Sequence, residues 1–292
     1  MKMTPQDLIK ETEHLFSLPD VALRVNQLID EPSTRPADLA EVILYDAALS
    51  ARLLRLVNSA YYARPVLIET VTQAISLVGF RPLRDLILAT FAVEMFHGLP
   101  PEKVNMERFW FHGVATGIAA RELAKRRGVR EGERLFLGGL LHSIGKLVFF
   151  SYCADDYAEV LRLIDDERLS VIEAEERVFG FNFADLGAEL LRAWRFPESI
   201  WKAVAHQLDP DKASDYRLEA LIVQGAEQVG SIVQSTAIDG GEALATSASD
   251  YLRSLAGRLG LPSDALDELP GDISLQVVEV FEVLVPGASV VY

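Results

Sequence analysis

Cysteine is nearly missing: Cys153 is the only one in 292 residues. No intrachain disulfide can form, so a disulfide-stapled scaffold is excluded and a reducing cytoplasm is the natural compartment. Positive charge is scarce too, with 28 Lys and Arg against 43 Asp and Glu, a formal net charge of −15. An acidic surface of that size repels phosphate backbones, so nucleic acid is disfavoured as a partner unless the basic residues cluster. Gly at 19 and Pro at 13 are too few for collagen or low-complexity disorder. Long apolar runs are lacking as well. Met1 to Phe16 alternates polar and charged residues without the apolar core of a signal peptide. The most apolar stretch, Leu135 to Phe150, contains His142, Ser143 and Lys146 and is shorter than the roughly 20 residues of a membrane span. The expectation is a cytoplasmic chain with no membrane partner.

What is present is an ordinary globular composition, 50% hydrophobic and 24% charged, with length for about two domains or lobes at roughly 150 residues each. Alternating strand patterns are nearly absent and no internal repeat is found, whereas helix starts and stops recur. Ser17-Leu-Pro-Asp20 fits a serine N-cap opening an amphipathic run through Val21, Val25, Leu28 and Ile29, ended by Pro32. Ser33 or Thr34 can cap the next helix, with Leu39, Val42 and Ile43 at helical spacing, and Asp46 the one after, with Leu49, Leu53, Leu56 and Val57. Thr70-Val-Thr-Gln73 is a capping box, Gly79 fits a left-handed C-cap, and Pro82 can open a longer helix through Leu86, Ile87, Thr90, Phe91 and Phe96.

Two prolines and a glycine in His97 to Lys103 place a lobe boundary there. From the N-cap Asn105 a helix of about 22 residues is expected to reach Arg127 and stop at Gly128, followed by an apolar helix over Leu135 to His142. Further helices are expected around Tyr157 to Ile164, Val171 to Val178, Phe183 to Trp194, Ile200 to His206 and Leu218 to Val233. Ile238 to Ser249, rich in small residues, reads as a mobile loop. Two or three helices finish the chain, the last with Ile273, Val277, Val280, Phe281 and Leu284 on one face, although its valines also suit a strand.

Five histidines are available for chemistry: His14, His97, His112, His142 and His206. His112 falls mid-helix on a face with Phe109, Thr116 and Leu123. His142 ends the apolar helix in Leu140-Leu-His-Ser-Ile-Gly-Lys146. That segment resembles the His-Asp motif of HD-type metal-dependent phosphohydrolases, with serine where the aspartate belongs. In that family an earlier histidine, the His-Asp pair and a later aspartate bind one or two divalent metals that activate water. By position His112 resembles the first histidine and Glu227 occupies the place of the last aspartate. His206 resembles an extra histidine of the two-metal members, and Phe183 stands where those members have another. Serine is neutral at pH 7 and a poor ligand for hard cations, and phenylalanine cannot ligate at all.

The first lobe sharpens the resemblance. Leu18-Pro-Asp-Val, Asp46-Ala-Ala-Leu49, Leu53-Leu-Arg-Leu-Val-Asn58-Ser-Ala60, Thr70-Val-Thr-Gln-Ala74-Ile75 and Gly79-Phe-Arg-Pro-Leu-Arg-Asp-Leu86 are similar, in order and spacing, to the HDOD family of bacterial signalling proteins. The likeness covers about residues 15–210, with Ala47 departing from the family's proline. It implies an all-α, two-lobed helical bundle: a short-helix lobe of about 15–98 packed on an HD-like lobe of about 104–210, with 211–292 a helical extension completing the second lobe. It also implies a non-catalytic output or scaffold module with signalling proteins as partners, commonly in cyclic-di-GMP or two-component pathways. On this reading no cofactor and no metal is expected, and His112, His142, Ser143, Phe183, His206 and Glu227 are vestigial positions. A divergent metal-dependent phosphohydrolase is the alternative. A nucleic-acid-binding regulator is the third reading, through the cluster Lys125, Arg126, Arg127 and Arg130, which also suits a helix C-terminal dipole. Arg52, Arg55 and Arg84 are candidates for a docking surface on the first lobe, and Cys153, with no base nearby in sequence, is expected to be inert.

Overall fold

The computed structural model describes residues 3–59, 61–62, 67–96, 99–100, 104–130, 132–238 and 245–287, and the described residues are helical with no strand. The first helices are α1 (Pro5–Glu11), α2 (Asp20–Asp30), α3 (Pro36–Leu44), α4 (Ala47–Asn58), α5 (Val71–Val78) and α6 (Phe80–Met95). Polar caps start several of them. Asp46 accepts from the Leu49 amide at 2.9 Å and opens α4, and Thr70 with Gln73 closes a capping box on α5.

Other starts differ from the sequence expectation, through one contact remote in sequence and others close by. Ser17 does not cap α2, whose N-cap is Pro19 with no side-chain bond. The chain there is held by Trp194, whose indole N–H donates to the Phe16 carbonyl at 2.7 Å. Neither Ser33 nor Thr34 caps α3: Thr34 spends its hydroxyl on the Leu28 carbonyl at the end of α2. Arg35 takes the N-cap position, its amide and guanidinium bound to Asp38. Gly79, at φ 88° and ψ 160°, lies outside the left-handed helical region, and α6 opens directly after it at Phe80, ahead of Pro82. Helix α1 has no counterpart in the sequence reading. It buries Leu8 and Ile9 against the second lobe.

The second lobe comprises α7 (Met106–Arg127), α8 (Gly132–Leu140), α9 (Ile144–Tyr152), α10 (Ala154–Glu167), α11 (Val171–Val178), α12 (Phe183–Ala193), α13 (Glu198–His206), α14 (Arg217–Ile238), α15 (Ala245–Arg258) and α16 (Leu269–Leu284). Helix α7 runs as its caps predict, from Asn105 to a left-handed Gly128, and packs against α8, α14 and α16. Helix α9 is an addition to the sequence reading, separated from α8 by a turn at residues 141–143. Gly132–Tyr152 has the length and composition to cross a membrane, yet it folds as these two helices, and 78% of its most apolar 18 residues are buried inside the protein. Ile238 and Ala245 to Ser249, expected in a loop, lie in α14 and α15, and residues 239–244 are outside the described set. So are 97, 98 and 101–103 of the expected lobe boundary. The valine-rich last segment is the helix α16, with Ile273, Val277, Val280, Phe281 and Leu284 buried.

One continuous apolar core runs through both lobes. Helix α6 meets α8, α4 meets α16, and Tyr61 inserts between them, its ring 4.7 Å from Phe136 and 4.0 Å beneath the Arg121 guanidinium. Arg126 of the basic cluster has a structural task, donating to the Ala265 carbonyl at 2.6 Å and to Asp272 at 3.0 Å, which ties α16 to α7. Two of the three docking candidates are not free surface. Arg52 is buried 2.5 Å from Glu94 as an ion pair without hydrogen-bond alignment, and Arg84 is engaged with the buried Asp85. Arg55 is exposed.

Candidate functional site

Helix α7 presents His112, the α8–α9 turn presents His142 and Ser143, the first residue of α12 is Phe183, and α14 carries Glu227. All five line one cleft of about 420 Å³ together with Phe109, Lys146 and Gln207. Four stretches separated by up to 115 positions in sequence are thus brought together. The approach of α9 to α12 is what allows it. A methyl group on Gly145 would stand 2.0 Å from the Phe183 carbonyl oxygen and 2.7 Å from the Gly187 amide nitrogen, so only hydrogen fits there.

The imidazoles of His112 and His142 meet edge to face, ring centroids 5.2 Å apart. His142 is almost completely buried, its Nδ1 2.7 Å from the Gly139 carbonyl oxygen. A carbonyl accepts only, so Nδ1 carries the proton and donates, leaving Nε2 bare. Gln207 donates from Nε2 to the His142 carbonyl at 2.7 Å and holds the turn from the other side. Burial drives the His142 pKa well below the imidazole value of 6.5; neighbouring His112 pushes the same way, against the Gly139 hydrogen bond. His112 is lowered to about 4, by burial first and then by Lys146. Its Nδ1 is buried without a partner, and its Nε2 is 3.8 Å from a Glu227 carboxylate oxygen. Both rings are therefore neutral at pH 7. The Glu227 carboxyl is pushed up by burial while Gln228 and Ser231 hydrogen-bond it.

Phe183 is fixed by its own helix start. Asn182 caps α12 by accepting from the Ala184 and Asp185 amides, and the Phe183 amide donates to Glu175 Oε2 at 2.8 Å. Glu175 is wholly buried, also accepts from the Tyr157 hydroxyl at 2.8 Å, and is pushed up by burial. Over the Phe183 ring, 4.4 Å from its centroid, sits the Lys146 ammonium. Burial lowers the Lys146 pKa, with Glu175 and Glu227 pulling it back up.

His206 does not line the cleft; it closes α13. Its neighbour Gln207 takes the position toward His142 because α13 ends there. Lys146, part of the His-Ser-Ile-Gly-Lys motif, is four residues beyond His142, a spacing that was legible; Gln207 and Glu175 carried no sequence signal. Among the described residues no group of three or more His, Cys, Asp or Glu side chains is placed to hold a metal ion. The donors do not fit one: a hydroxyl and a phenyl ring stand where the resemblance places a carboxylate and an imidazole, and the Lys146 ammonium lies beside them. A larger cavity of about 520 Å³, between α1 and α12, has none of these residues in its lining. Cys153 is buried and its thiol is pushed up to about 11, so it is no nucleophile at neutral pH.

The HDOD domain family model matches residues 15–210. The chain belongs to the HDOD family. An uncharacterized relative from Treponema pallidum (strain Nichols) is 25% identical over 202 residues, 68% of this chain but 39% of that protein, so the likeness spans well under half of the relative's length. The solved structure of a protein from Shewanella amazonensis SB2B, provisionally named a phosphohydrolase, superposes with a TM-score of 0.75 at 25% identity, covering 95% of this chain and 97% of that one. An HDOD domain protein of unknown function from Geobacter sulfurreducens gives a TM-score of 0.66 at 21% identity, covering 96% and 97%. The HDOD match ends at residue 210, yet α14 packs along α7 and brings Glu227 to the cleft. The structural likeness accordingly runs past the HDOD segment over nearly the whole chain.

Proposed function

We propose that this HDOD protein is a non-catalytic signalling module of the cytoplasm that acts by binding other signalling proteins and turns over no substrate. One observation supports the reading: Ser143 and Phe183, which stand where the resemblance places an aspartate and a histidine ligand, line the cleft with the Lys146 ammonium 4.4 Å from the Phe183 ring. A resident ammonium repels a second cation, and neither Ser143 nor Phe183 can offset that charge. The HDOD resemblance adds cyclic-di-GMP or two-component pathways as the setting. The competing reading, a divergent phosphohydrolase, draws on the name given to the Shewanella protein.

Elemental analysis of purified protein, with hydrolysis assays on cyclic dinucleotides and nucleoside phosphates, decides between them. The expected result is less than stoichiometric Mn, Fe, Zn or Mg and no turnover. A tightly held metal with activity lost in His142→Ala overturns the proposal. Ser143→Asp returns one carboxylate and leaves Phe183 and Lys146 in place, so that variant is expected to gain at most weak metal binding and no catalysis.

A further inference from the structure

Lys146 is the most conspicuous unfinished group in the molecule. Its ammonium makes no hydrogen bond and no ion pair among the described residues, its sole defined contact being the Phe183 ring at 4.4 Å. The Glu175 and Glu227 carboxyls act on it through space without bonding it, so its N–H donors are left open to an anionic ligand. It lines a cleft of about 420 Å³, within the roughly 300–1,000 Å³ range of small-molecule sites. The other walls include the aromatic Phe109, His112 and Phe183 and the amides Gln224 and Gln228, beside aliphatic side chains, hydroxyls and the Glu227 carboxylate. His112 adds a buried Nδ1 with no partner.

We propose that the cleft is a binding pocket for a small aromatic carboxylate, its ring lying among Phe109, His112 and Phe183 and its charge meeting Lys146. This deepens the non-catalytic reading and rests on it, since a pocket without metal is free to hold an organic anion. The charge count selects the class. The lining holds one ammonium, Lys146, and one carboxylate, Glu227, so a bound monoanion leaves the cleft one charge negative and a phosphate dianion two, and the smaller excess is the better tolerated. The neutral imidazoles add ring surface and no charge. Gln224 is held by the Leu208 carbonyl and by Arg258, which keeps that wall in place without spending Lys146.

The test is calorimetric titration of the full chain with 2-naphthoate, 2-naphthamide, inorganic phosphate and AMP, on wild type and on Lys146→Met, with circular dichroism confirming that the variant is folded. Naphthoate is expected to bind wild type more tightly than the amide by about tenfold or more, as a charge-assisted hydrogen bond in a desolvated site requires. Lys146→Met is expected to erase that preference while leaving amide binding within about threefold, because packing is retained. Equal binding of acid and amide, tighter binding of phosphate or AMP than of naphthoate, or no binding of any probe overturns the inference. If Lys146→Met unfolds, Phe109→Ala serves instead and is expected to weaken acid and amide alike. Metal content and hydrolysis are read on the same preparation: metal with turnover sinks the non-catalytic reading, whereas a metal-free inactive protein that ignores naphthoate sinks only the pocket.

Discussion

The two lobes hold their helices together in different ways. In the first, α2 to α6 meet through side chains: Leu39, Ile43, Leu53 and Ile75 are buried between helices, and the buried charges Arg52 and Asp85 are both ion-paired. In the second, helices approach backbone to backbone. A methyl on Gly139 would lie 2.7 Å from the Gly117 Cα, and Gly145 sits against Phe183 and Gly187. That lobe also buries His142 and Glu175 with no ion-pair partner among the described residues. Side-chain packing tolerates modest repacking, whereas backbone contact fixes a frame, and a frame is what a cleft with closely placed groups needs.

The largest effect that would break this contrast lies at Gly145. Gly145→Ala is expected to cost at least about 3 kcal/mol, because the new methyl meets backbone that cannot rotate away. Ile43→Val in the first lobe should cost only about 1 kcal/mol. Urea denaturation of both measures the difference, and a cost below about 1 kcal/mol at Gly145 removes the frame.

Next comes the pH response of the second lobe. His112 and His142 have lowered pKa values in the fold, so between pH 6.5 and about 4 the unfolded chain takes up protons that the native imidazoles refuse. Stability is therefore present above pH 6.5 and lost on acidification, by up to about 1.4 kcal/mol per pH unit for each ring. The carboxyls of Glu175, Asp185 and Glu227, raised by burial, act in the opposite sense. The contribution of the histidines is thus the difference between wild type and His112→Gln/His142→Gln across a pH series of denaturation curves. Parallel curves would mean that the imidazoles are solvated or charged in the fold.

Arg52→Ala should cost about 1–2 kcal/mol, since it leaves a buried site beside Glu94 half empty. The smallest change is expected at Arg55→Glu, within about 0.5 kcal/mol by thermal melting. That position is exposed, so it can report whether a signalling partner docks on the first lobe. Unchanged partner capture by Arg55→Glu, together with loss of capture on Lys125→Glu/Arg127→Glu, moves docking to the second lobe.

The all-helical class, the span of α7, the caps Asp46, Thr70 and Asn105, and the convergence of His112, His142, Ser143, Phe183 and Glu227 were legible in the sequence. Caps and helical periodicity act within a few residues, and the family motifs keep their order along the chain. The sequence did not yield α1, the break between α8 and α9, the Arg35 cap or the placing of His206 outside the cleft. Most depend on a partner distant in sequence: α12 for α1, the Gln207 hold on the His142 turn, and the end of α13 that turns Gln207 rather than His206 toward His142; the Arg35 cap is local and follows from Thr34 being drawn back to Leu28. Lys146 shows the same division, because its spacing from His142 is local while its stacking on Phe183, its burial and its lack of an acceptor arise only when α9 closes on α12. Local hydrogen bonding and periodicity determine where helices form, and long-range packing decides which polar groups are left to face one another in the interior.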